Sequence, residues 1–240
     1  GLLDIVFSIN QEDGRIDPAE NDSGALKNAV INNRINAVTL LLKDGRSDPT
    51  VLLNNGVSLV QDAIRQGYKD ILSLFLNDDR IEPIEPYLLY ETHDANIVGL
   101  LLEKRRIQSS EAINAYFRYT LSVHSDQAVL RTKACLSHKA LDFNSIDNYT
   151  AINNLYNYGN VATVKLLIED GRFDITHPQC GLFIRTICHR SSQILGWMLA
   201  HPLVTADTIP TYLFETTLRM GDVDTMKVLL NCPLVDIATV

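Results

Sequence analysis

Apolar residues fall along this chain in two alternating kinds of run, both with helical spacing. The longer kind, as in Val38-Thr39-Leu40-Leu41-Leu42 and Val164-Lys165-Leu166-Leu167-Ile168, ends on a column of Leu42, Leu76, Leu102, Leu136, Ile168, Leu199 and Leu230. That period marks a helix buried along one face. The shorter kind centres on Ala29, Ala63, Leu89, Leu155, Thr186 and Thr217. Leu26, Val60, Ile152, Phe183 and Phe214 stand three residues earlier, and Val30, Ile64, Tyr90, Tyr156, Ile187 and Leu218 one residue later. This stripe predicts a shorter helix packed on one side. Four residues past it come Asn33, Gly67, His93, Gly159, Arg190 and Gly221, where a tight left-handed turn is expected. Gly14, Gly45 and Gly171 follow the longer helix as left-handed stops, a place Pro202 and Pro233 take later. Asp94, Asn160, Ser191 and Asp222 are expected N-caps.

Each pair of helices closes on a polar residue: Asp17, Asp48, Glu82, Gln108, Asp142, Asp174, Thr205 and Asp236. Six of the seven spacings lie between 31 and 34 residues, and the seventh is 26. The unit is helix, tight turn, helix, extended loop. No such unit can bury its apolar face alone, so neighbours must stack. The unit ending at Gln108 is too short for a full hairpin, and Ser109–Val123 reads as a long first helix. Irregularity or a bend is therefore expected between Glu82 and His124. We expect residues 1–240 to form a single repeat domain, excised from a longer chain.

The residues that fill this unit resemble the ankyrin repeat. Ala25-Leu26-Lys27-Asn28-Ala29-Val30 is similar to that family's Pro-Leu-His-x-Ala-Ala, Gln66-Gly67-Tyr68 to its Asn-Gly-His, and Val164–Ile168 to its Val-Val-x-Leu-Leu-Leu. The period agrees with the family's ~33 residues. The Thr-Pro-Leu-His signature is never intact, and Arg15–Pro18 and Arg46–Pro49 replace the family's Gly-Ala-Asp-Val-Asn with Arg-x-Asp-Pro. The resemblance implies an all-α fold, an ankyrin-like helical-hairpin solenoid of about seven repeats with short extended loops. It also implies that a protein partner is gripped by the loop tips and the exposed ends of the first helices. The candidate contacts are then Asn32, Asn54, Asn55, Arg65, Gln66, Glu91, Asp147, Tyr149, Asn157, Tyr158, His177, His189, Thr211 and Arg219.

Tyrosine supports that face. Eight of the nine Tyr fall in or just before first helices, and Tyr is a low-entropy contact residue. Tyr90 and Tyr156 are expected to pack in the core; Tyr149 and Tyr158 are divided between surface and core.

Composition narrows the partner. With 21 Lys and Arg against 29 Asp and Glu, the net charge of −8 opposes nucleic-acid binding. The only basic triplet, Lys104-Arg105-Arg106, sits at an expected helix end, where cations are favoured. No apolar run approaches the ~20 residues a bilayer span needs, so membrane insertion is not expected. The four Cys have no spacing of a disulfide framework, pointing to free thiols in the cytoplasm. A monomer is favoured.

His177, Cys180, Cys188 and His189 are soft or borderline ligands within one unit, of types that suit zinc, but their spacing matches no known pattern and no metal site is expected. Ser122-Val123-His124-Ser125-Asp126 reads as a turn rather than a triad. Asp17, Asp48, Asp142 and Asp174 lie one per unit, spaced for fixing loops rather than for acid–base work. No enzyme and no cofactor are expected. The expected function is a non-catalytic protein–protein interaction module. Its alternatives are a targeting arm of a larger enzyme, such as a ubiquitin ligase or an effector, and a small-molecule or metal-binding repeat.

Overall fold

The computed structural model describes residues 17–104, 107, 109–123, 126–143, 145–155 and 161–235. The expectations for Gly14, Gln108, Tyr156, Gly159, Asn160 and Asp236 lie outside these. The described residues are all-helical: fourteen α-helices, a short 3-10 turn at Ala206–Thr208 and no strand, with one isolated bridge between Leu52 and Ser58. The chain divides into two compact units, residues 1–109 and 110–240. The division falls within the stretch where the repeat spacing breaks down.

In the first unit, α1 (Glu20–Ile31) pairs with α2 (Ile35–Asp44), and α3 (Leu59–Gln66) with α4 (Lys69–Leu76). Next come α5 (Leu88–Glu91) and α6 (Ala95–Glu103). The first helices α1, α3 and α5 pack in one row and the second helices α2, α4 and α6 in another. The short spacing before Gln108 shows as a single-turn α5. In the second unit the pairs are α7 (Ser110–Ser122) with α8 (Asp126–Leu136), α9 (Ile146–Asn154) followed by α10 (Val161–Asp170), α11 (Leu182–Cys188) with α12 (Ser192–Leu199), and α13 (Tyr212–Met220) with α14 (Val223–Leu230). Here the second helices α8, α10, α12 and α14 form a continuous row.

The repeated columns explain this packing. Leu26, Val30, Ala63, Ile64, Leu89, Ile152, Leu155, Thr186, Ile187 and Thr217 are buried, as are Leu41, Phe75, Leu76, Leu102, Leu136, Leu167, Ile168, Leu199 and Leu229. Leu42 and Phe214 are half-buried, and Tyr90, Leu218 and Leu230 are exposed. Tyr90, expected in the core, is 40% exposed because one turn of α5 gives it no full helix face to pack with. Leu218 is 65% exposed, and Val223 and Leu230 lie open beside it.

The turn column takes the expected form at four described positions but not at His93, which has no left-handed backbone. Asn33, Gly67, Arg190 and Gly221 have φ of 52°, 75°, 54° and 64°. The next amide folds back on the first helix: Arg34 N–H donates to the Ala29 carbonyl at 2.8 Å, Tyr68 to Ala63 at 2.9 Å and Ser191 to Thr186 at 2.9 Å. Two of these left-handed positions carry side chains, at a cost of ~1–2 kcal/mol each relative to glycine. Asp94 and Asp222 cap α6 and α14, whereas Ser191 makes no side-chain cap.

Neighbouring hairpins are also joined through polar groups. Asp78 holds the Arg80 guanidinium in a two-point ion pair, at 2.9 and 2.6 Å. So oriented, Arg80 donates to the carbonyls of Leu42, Gly45 and Ser47 in the preceding hairpin, at 3.4, 3.1 and 2.7 Å. In the second unit Asp170 orients Arg172 in the same way, and Arg172 donates to the Leu136 carbonyl. Leu42 and Leu136 occupy the same repeat column, at the carboxyl end of a second helix. There the unpaired carbonyls and the helix dipole favour a cation. Asp-x-Arg, as Asp78-Asp79-Arg80 and Asp170-Gly171-Arg172, is thus a clasp between neighbouring hairpins.

Candidate functional site

The left-handed run Asn21–Ser23, with φ of 55°, 56° and 56°, opens α1 and sets Asn21 on the edge of a groove. The run is pinned from behind, because buried Ser23 accepts a hydrogen bond from the Asp48 amide at 2.8 Å through its Oγ. One turn later Lys27 and Asn28 stand on the same wall, and Ile31 closes it. The opposite lip is the turn Leu53–Gly56, closed by the Gly56 amide on the Leu53 carbonyl at 2.8 Å, with Gly56 at φ 77°. Asn55 Oδ1 accepts from the Val57 amide at 3.1 Å, which stiffens the tip that carries Asn54. Asp62, Gln66 and Tyr68, from α3 and the turn after it, complete a groove of 580 Å³.

Three expected contacts, Asn54, Asn55 and Gln66, meet in this groove with Asn21 and Asn28. The side chains of Asn21, Asn28, Asn54 and Gln66 make no hydrogen bond among the described residues. Lys27 is tied to Asp22 at 2.6 Å. The groove is therefore rich in carboxamides, with Asp62 as its one charged side chain outside an ion pair among the described residues.

Asn32 lies exposed just past Ile31, its Nδ2 donating to the Asn28 carbonyl at 2.8 Å. Arg65 and Glu91, expected to face a partner separately, bind each other through two hydrogen bonds of 2.8 Å. Gln61 adds its Nε2 to the same carboxylate at 3.1 Å. The Arg65 guanidinium, and after it Gln61, hold the Glu91 carboxyl below its usual range against the opposing effect of desolvation.

In the second unit the expected contacts scatter. Tyr149 is 1% exposed and is not a surface contact. Its ring packs against Phe173 and stacks on His177 at 4.4 Å, its hydroxyl donates to the Asp174 carbonyl at 3.2 Å, and burial pushes the phenol up. His177 is half-buried, and its Nδ1 accepts from the Gln179 amide at 3.2 Å. Asp147, His189 and Thr211 are exposed. Arg219 is exposed and pairs with Glu215 at 2.7 Å. Asn157 and Tyr158 lie outside the described residues.

Cys180 is half-buried, and desolvation pushes its thiol up to about 12, so the thiolate that a metal or an electrophile requires is disfavoured. Cys188 and His189 lie at the carboxyl end of α11 and are exposed. Among the described residues no group of three or more His, Cys, Asp or Glu is placed to hold a metal ion. The aligned acids fix loops: Asp17 Oδ1 accepts from the Ala19 amide at 2.9 Å, Asp48 from Thr50 at 2.8 Å and Asp174 from Thr176 at 2.9 Å.

Sequence reasoning passed over a second set of carboxamides. Asn153 on α9 grips an extended loop by its main chain, donating to the Gln179 carbonyl and accepting from the Gly181 amide, both at 2.8 Å. Asn114 on α7 does the same, accepting from the Asp142 amide at 3.1 Å and donating to the Ala140 carbonyl at 3.4 Å. Buried Asn148 donates to Asn114 Oδ1 at 2.8 Å and to the Asp142 carbonyl. The signal that could have found this pair is its separation of 34 residues, one repeat. No family model, no curated protein and no solved structure matches the chain.

Proposed function

We propose that the protein is a non-catalytic binding module in which each compact unit is a short ankyrin-like stack of helical hairpins, and that its ligand is another protein. One observation carries this reading: Asn54, Asn55 and Gln66, contact residues expected from one repeat, converge on a groove whose facing wall is α1 of the hairpin before it. Stacked rows of helices hold those side chains before a partner arrives, so little conformational entropy is lost on binding. A cytoplasmic monomer fits the four free cysteines, and no described helix is long and apolar enough to cross a membrane.

Affinity capture followed by a binding measurement on the captured protein tests the proposal. Asn54→Arg with Gln66→Glu, both on exposed positions, should weaken the partner at an unchanged melting temperature. Capture that is indifferent to these changes moves the surface elsewhere; failure to bind any protein ends the reading.

A further inference from the structure

The free carboxamides of the first unit and the engaged ones of the second invite comparison. Asn114 and Asn153 each clamp a carbonyl and the amide two residues later on a loop segment of this same chain. A carboxamide suits that task because it donates and accepts from one planar group, as a peptide group does. Asn21, Asn28, Asn54 and Gln66 present the same chemistry along one groove, with no partner among the described residues.

We propose that this groove holds an extended polypeptide segment of a partner protein, free of acidic side chains, through its main chain. The inference rests on the reading of the protein as a binding module and specifies what that module recognises. Two further features fit such a segment. Lys27 is already engaged by Asp22, whereas Asp62 makes no ion pair among the described residues, so the groove disfavours acidic side chains on the ligand. Ile31, half exposed on the wall, and Tyr68 offer apolar surface to alternate side chains, the geometry of an extended strand. Recognition is then tolerant of ligand sequence and strict about ligand conformation, since main-chain groups are common to every residue.

The test is selection of random linear peptides on the full chain, followed by affinity measurement with three kinds of change. Asn28→Ala with Gln66→Ala should weaken selected peptides at least about tenfold, ~1.4 kcal/mol, at an unchanged melting temperature. N-methylation of alternate peptide amides should weaken them by at least as much, because it removes main-chain donors. Replacing single peptide side chains by alanine should have a smaller effect. Peptides that survive N-methylation but fail on side-chain replacement overturn main-chain recognition. Neutral oligosaccharides that bind and are lost in the same double variant overturn the ligand class. Peptides that bind equally to the double variant remove the groove assignment while leaving the binding-module reading standing; no binding of any peptide or protein removes both.

Discussion

The Arg80 guanidinium reaches out of its own hairpin to lie 2.7 Å from the Ser47 carbonyl in the hairpin before it. Asp78 makes that reach possible by fixing the fork in one orientation, so the cost of ordering a long side chain falls on a local ion pair. Arg80→Ala should lower unfolding free energy by about 1–2 kcal/mol in urea denaturation, and Arg80→Lys should recover less than half, since a point charge cannot serve several carbonyls in one plane.

Carboxamides should divide into two classes by their effect on stability. Asn114→Leu removes the side-chain acceptor of the Asp142 amide and one of the two acceptors of the Asn148 amide group, and should cost about 1–3 kcal/mol. Asn28→Ala, whose side chain bonds to nothing described, should leave the melting temperature unchanged. Thermal unfolding of the two variants side by side checks the contrast.

Leu167 is fully buried on α10. Leu167→Ala should cost ~2–5 kcal/mol, as truncation of a packed core side chain does when the cavity cannot collapse. A value below this range in a denaturant titration would mean that the second-helix row is loosely packed.

Acid should weaken the fold through named carboxylates. Hydrogen bonds from Thr176 hold Asp174 below its ordinary value of 3.8; those from Thr50 act likewise on Asp48, and Arg46 lowers Asp44. Groups whose folded values are depressed add stability that is fully present above the unfolded value and is lost as pH falls through the folded one. Melting temperature should therefore fall from about pH 5 downward, and Asp174→Asn should flatten that decline.

The ion pair of Arg65 and Glu91 links α3 to α5 and should respond to exchange. Arg65→Glu or Glu91→Arg alone should lower the melting temperature, and the double swap should restore part of it. Added salt should shrink the difference between wild type and single variants, because the pair lies near water.

What could be read from the sequence was whatever repeats in residue type. Leu26, Ala63 and Leu167 stand in apolar columns, and Asn33, Gly67 and Gly221 in a turn column, because burial and a left-handed backbone each select a few residue types. The Arg80 clasp left no comparable trace, since its acceptors are main-chain carbonyls of Leu42, Gly45 and Ser47, which any residue supplies. Tyr149 was misjudged because tyrosine tolerates both surface and core; the ring of His177 and a carbonyl from the following loop decided the matter. Within the groove, Asn54, Asn55 and Gln66 were reached through the resemblance, whereas Asn28 was missed because mid-helix asparagine looks like ordinary solvated surface.

The clasp has a bearing on how such a chain can change length. Arg80 and Arg172 each travel with their own orienting acid and fasten onto helix-end carbonyls that every hairpin possesses. A duplicated hairpin would arrive with its fastener included and would meet a receptor of the same geometry, whatever side chains its neighbour carried. Gain or loss of whole units is thereby uncoupled from the variable residues, and the number of hairpins is free to drift while the exposed residues change separately.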